Sequence, residues 1–197
     1  MNTPAHLIFA AAAFARPGQR MVNAAALAGG LLPDLSLYMM VSWALLVRDI
    51  APRVVFGEMY FSDSWQAVFA VDNSMPLWSL VLILALVVRS APGIAFAGSG
   101  VLHLVFDFSL HHDDARRHFW PVSVWVFHSP VSYWDVRHYG YYAGSAEILI
   151  CLALSVMLWW RFGGWLARSL IAAGMSMEMA PVVMWAMMFE RYQSVSR

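Results

Sequence analysis

The stretch Gly98–Pro121, GSGVLHLVFDFSLHHDDARRHFWP, decides between helix and strand for this chain. Its first half shows no sustained alternation of polar and apolar side chains. Instead His103 and Asp107 stand four apart in an apolar run, the spacing that puts two side chains on one face of a helix. Its second half is polar and ends at Pro121, which suits a loop. Working outward, further apolar segments recur at Leu35–Val47, Leu77–Val88, Ile94–Phe106, Ile148–Trp160 and Trp165–Phe189. Most are shorter than the roughly 20 apolar residues that a straight membrane crossing needs. With their flanks they reach that length, and the breakers between them are well placed: Pro76 at a helix start, Pro92-Gly93 between two helices, Gly163-Gly164 before the last. The C-terminal run MSMEMAPVVMWAMMF is apolar nearly all round, as a helix facing lipid or protein would be. The reading is all-α: one domain over residues 1–197, a compact bundle of four to five hydrophobic, membrane-spanning helices with a polar site at one end.

Composition agrees with a membrane environment. The chain is 61% hydrophobic and only 12% charged, against about a quarter charged in typical soluble domains. Formal charge is zero and all 12 basic residues are arginine, so no strongly basic face exists to neutralise a nucleic-acid backbone. Cys151 is the one cysteine, which excludes an internal disulfide and a cysteine-type zinc cluster. The apolar stretch AHLIFAAAAFA resembles a short secretory core, but the first basic residue, Arg16, follows it instead of preceding it, so the segment is expected to be retained. The aromatic residues Phe119, Trp120, Trp125, Phe127, Tyr133 and Trp134 suit a membrane–water interface. Membrane lipid is the expected surrounding, and nucleic acid is not an expected partner.

Five of the seven histidines fall between His103 and His128, among Asp107, Asp113 and Asp114. Imidazole nitrogen with carboxylate oxygen is a ligand set for a divalent metal, zinc first among them. His103 and Asp107 need partners inside so apolar a helix, and a further turn brings His111 near, followed by His112 and His118. Local pairing of Arg116 and Arg117 with the acids is the alternative for the HHDD-x-RR part. Asp34 reads either as a helix cap after Pro33 or as a remote ligand, and His6 either as a hydrogen-bonded core residue or as a ligand. His128 and His138 read as surface or supporting residues. If successive segments run up and down, Asp34, Asp72, Asn73, His103 and Asp107 gather at one end, and Arg48, Arg53 and Arg89 at the other.

These residues resemble the family of small inner-membrane proteins described as membrane-bound metal-dependent hydrolases, distantly grouped with zinc-dependent phospholipase C and P1-type nucleases. The resemblance spans Pro4 to Pro121: His6 in TPAHLIF, LLPD ending at Asp34, the His103/Asp107 pair, and Trp120-Pro121. Where that family carries an H-x-x-x-x-H-S motif, this chain has Asp72, Asn73 and Ser74, which puts one metal position in doubt. The resemblance implies a bacterial inner-membrane location and hydrolysis of an ester or phosphoester of an amphiphilic substrate. In that reading His6, Asp34, His103, Asp107, His111, His112 and His118 are the candidate metal ligands, Asp113 or Asp114 the general base or the group that orients a ligand histidine, and Arg116 and Arg117 the binders of an anionic head group. The layout is also similar to bacterial membrane proteins labelled cobalamin-biosynthetic and cobyric-acid-synthase-like. The residues for that chemistry are missing: Cys151 lies in an apolar run, and no phosphate-binding Gly-x-x-x-x-Gly-Lys loop is present. A non-catalytic membrane protein with a structural or sensing metal site is the other class the sequence leaves open.

Overall fold

The computed structural model describes the backbone of residues 1–195 and the side chains of residues 1–180. Seven helices account for most of it, with no strand among the described residues: α1 (Thr3–Phe14), α2 (Arg20–Ser42), α3 (Asp63–Asp72), α4 (Met75–Val87), α5 (Ala91–Leu110), α6 (Gly140–Arg161) and α7 (Trp165–Val195). The all-helical expectation holds, and the breakers fall where the sequence puts them. Ser74 and Ser90 cap α4 and α5 by accepting from Leu77 N at 3.2 Å and Gly93 N at 3.2 Å, each just ahead of a proline in the first turn. Between α2 and α3 the backbone winds wider, over Trp43–Val47 and Val55–Met59, around a core of Ala44, Val55, Tyr60, Trp65 and Phe69.

Four stretches are long and apolar enough to cross a membrane: Arg20–Val47, Asp63–Val87, Ala91–Leu110 and Gly140–Arg161. Their outward faces are apolar too. Leu80, Ile83, Leu84 and Val87 of α4 and Leu149, Leu152 and Trp160 of α6 are all exposed, which water does not favour over so wide a belt.

Two expectations change at α2. Asp34 is not a helix cap: α2 runs unbroken from Arg20 to Ser42 with Pro33 and Asp34 inside it. Proline removes one backbone donor, but packing on both sides holds the helix together. A Cβ on Gly29 would lie 1.9 Å from Phe96 O of α5, and one on Gly30 would lie 2.9 Å from Ala10 Cβ of α1, so the two glycines let three helices cross almost backbone to backbone. The second change concerns direction. Ala26 of α2 meets Ala95 of α5, and Gly30 meets His103, so α2 and α5 run parallel. Arg48 and Arg53 therefore continue past the polar site, away from Arg89. The far end instead collects Arg16 and Arg20 with Arg89 and Arg161, the last bonded to Ala12 O at 2.8 Å.

α1 sits at the centre, touching α2, α5, α6 and α7. At 12 residues it is too short to cross a bilayer, and its polar beginning lies level with the C-terminal end of α5 and the N-terminal end of α6.

Candidate metal centre

His6 on α1 and His103 with Asp107 on α5 bring one ligand atom each to within 4.8 Å of one another, and all three are buried. His6 Nε2 lies 2.9 Å from Asp107 Oδ1, and His103 Nε2 lies 3.1 Å from Asp107 Oδ2. The two imidazoles stack, centroids 3.5 Å apart. Asp34 joins from α2, its Oδ1 3.7 Å from His103 Nε2. Its other oxygen accepts from Thr3 Oγ1, which in turn accepts from the hydroxyl of the exposed Tyr38 at 2.8 Å. That hydrogen-bonded chain links the cluster to the surface.

The protonation logic favours a cation. His103 Nδ1 faces Gly30 O at 2.8 Å. A carbonyl oxygen can only accept, so Nδ1 carries the hydrogen and Nε2 of the neutral ring presents a lone pair. That lone pair faces carboxylate oxygens of Asp107 and Asp34. Acceptors facing acceptors in a buried site need either an added proton or a metal ion between them. His6 Nδ1 is buried without a partner, so His6 lacks the outer hydrogen bond that holds His103.

The chain matches no protein-family model, no curated protein and no solved structure. The other candidate residues are placed by the geometry alone. His111 ends α5 and reaches back, its Nε2 3.2 Å from Asp107 Oδ1 and 3.3 Å from the Met1 amine, while its Nδ1 lies 2.9 Å from Asp114 Oδ2. Burial pulls this imidazole down, but Asp107 and then the bonds to Asp107 and Asp114 outweigh it and hold His111 above its ordinary range. Asp114 thus stands behind His111 and also accepts from Trp134 Nε1 at 3.2 Å.

His112, Asp113, Arg117 and His118 do not join the cluster. Past Leu110 the helix ends, so neighbouring side chains diverge: His112 Nδ1 bonds Ser129 O at 2.6 Å, and Asp113 pairs with Arg137 at 3.1 Å on the surface. Arg117 pairs with the exposed Asp63 at 3.2 Å. His118 is buried against Phe108 with its Nδ1 3.1 Å from Asn73 O, where it fastens the loop to the α3–α4 junction. Arg116 is the opposite case. Only 4% exposed, its guanidinium lies 4.8 Å from the Phe69 ring, and Nε and Nη1 have no partner. Burial disfavours that charge, yet Tyr60, Asp34 and Asp107 outweigh it and keep the side chain ionised.

Sequence reasoning missed two acids. Glu147 of α6 accepts from Asn2 N at 2.8 Å and Glu178 of α7 from Asn2 Nδ2 at 3.5 Å, both nearly fully buried beside the centre. The available signal was a lone carboxylate in each apolar run.

Proposed function

We propose that this chain is an integral membrane hydrolase that depends on a divalent metal, zinc by the donor set, and acts on an ester or phosphoester of an amphiphilic substrate. The observation that supports it is the His103 ring, whose lone pair is turned on two carboxylates with His6 stacked against it. His6, His103 and Asp107 would hold the ion, with Asp34 the nearest further carboxylate. When bound, such an ion polarises the scissile group and brings bound water towards neutral pKa. The chain supplies the rest. His111 is the base nearest the cluster, with Asp114 behind it in the supporting one of the two roles considered for that acid. Arg116 offers a buried positive charge with free donors to an anionic phosphoester or head group.

One observation favours a second reading. His6, His103 and Asp107 are each 3% exposed or less, and a catalytic ion keeps a position open to substrate whereas a structural ion is closed in. Metal analysis of the detergent-purified protein, with hydrolysis assays on phosphodiesters and carboxyl esters, separates the two. The hydrolase reading expects about one cluster-dependent equivalent of metal, lost together with activity in His103→Ala and Asp107→Ala. Arg116→Gln should keep the metal and slow an anionic substrate roughly 10- to 100-fold, leaving a neutral ester unaffected. Metal without hydrolysis selects the structural reading; metal content unchanged in both cluster variants overturns both.

A further inference from the structure

A second group of imidazoles lies outside the centre, at the rim formed by the loop after α5. Three loop segments meet there, held by Ser129 N to His111 O at 3.0 Å, Tyr133 N to Leu110 O at 3.0 Å and Ser132 N to His138 O at 2.8 Å. They bring together His112, His128 and His138. The rings of His112 and His138 stack with centroids 3.6 Å apart, and His128 stands edge-on to His112 at 5.8 Å.

Each ring is tied by the same nitrogen. His112 Nδ1 faces Ser129 O at 2.6 Å, His128 Nδ1 faces His112 O at 2.7 Å, and His138 Nδ1 faces Asp135 Oδ2 at 3.0 Å. All three acceptors are oxygens without hydrogen, so each Nδ1 donates and each neutral ring offers its Nε2 lone pair outward. An imidazole anchored through Nδ1 to a carbonyl or carboxylate is the arrangement that supports a metal-bound histidine. His112 Nε2 also lies 3.6 Å from Asp113 Oδ1, again acceptor against acceptor, while Asp113 Oδ2 is taken by Arg137.

We infer that His112, His128 and His138, with Asp113 Oδ1, form a second site for a borderline transition-metal dication such as Zn²⁺. Nitrogen-rich ligation excludes Mg²⁺ and Ca²⁺, which take oxygen. The outer site is open where the central one is closed. Side chains of His112 and His138 are 26% and 27% exposed, and among the described residues only the central group already draws three ligand atoms within 4.8 Å. An ion would draw His128 in by side-chain rotation, which its exposed position permits and which would exchange its bond to His112 O for the ion, leaving His112 and His138 as the two anchored ligands. The site does not depend on the central one being catalytic or even metallated.

The test is Zn²⁺ titration by calorimetry of full-length protein carrying no polyhistidine tag, stripped with chelator and held in detergent. Wild-type protein should show a binding event that survives His103→Ala and is weakened at least 10-fold in His112→Ala and in His138→Ala. Both loop variants should keep the elution volume and circular dichroism of the parent. Isotherms of His112→Ala and His138→Ala that superpose on wild type overturn the site, as does a wild-type isotherm holding nothing beyond the His103-dependent event. Loss in the loop variants alone, with His103→Ala unchanged, supports the outer site and counts against the central one.

Discussion

Asp107 is contacted from several sides at once: the Met1 amine, His6 of α1 and His111 after α5 at one oxygen, and His103 at the other. Single side chains decide the chemistry here, and their protonation is set by what lies behind them. His118 makes this measurable. It is 2% exposed, and burial drives its imidazole down to about 4. The unfolded chain takes up that proton near pH 6.5, the folded chain only near pH 4, so stability is complete above about pH 6.5 and declines as pH falls towards 4. The loss amounts to about 3 kcal/mol over that window and stops below it. Unfolding midpoints in detergent at pH 7 and pH 4.5 should therefore differ less for His118→Phe than for wild type; equal differences would refute the assignment. The His103/Asp107 pairing was legible from its four-residue spacing. The burial of Arg116 was not, because Arg-Arg beside Asp-Asp reads equally well as a solvated loop, and only the Phe69 ring and the nearby Tyr60 and Asp34 make room for the charge.

At the scale of elements, the helix starts at Pro76 and Pro92 were readable, and the structure adds Ser74 and Ser90 as their caps, because first-turn prolines and capping are local chemistry. Asp34 misled for the opposite reason. Pro-Asp is local turn chemistry, and the packing that overrules it comes from Ala10 and Phe96, residues of other helices. The divergence of His111 from His112 was equally hidden, since it depends on α5 stopping at Leu110. The crossing at Gly29 and Gly30 carries the site, and it should be sensitive to bulk. Gly29→Val forces side-chain atoms onto the Phe96 backbone and should cost about 3 kcal/mol, the upper end for overpacking, with loss of bound metal. Gly163→Ala, with nothing within 4 Å of the added carbon, should stay within about 0.5 kcal/mol of wild type in the same thermal melt. Similar melts for the two variants would mean that the crossing does not hold the site.

For the whole molecule, the apolar belt and the four candidate spans predict that the protein stays with the membrane pellet through an alkaline carbonate wash and is released by detergent; recovery in the wash would contradict a spanning arrangement. The helical class and the long apolar segments were legible because hydrophobic length and breakers are properties of the chain itself, whereas the shorter α1 and α3 were not read as helices. Their relative directions were not: assuming simple alternation put Arg48 and Arg53 at the wrong end, since the wide turns over Trp43–Met59 carry the chain onward before α3 brings it back. One consequence concerns synthesis. α1 is held by α2, α5, α6 and α7, and His6 meets a carboxylate 101 residues further along. At about 5–20 residues per second, a ribosome needs roughly 5 to 20 s between delivering that histidine and delivering its partner. During this interval the imidazole has no Asp107 to face, so assembly of the centre is a late event in biogenesis.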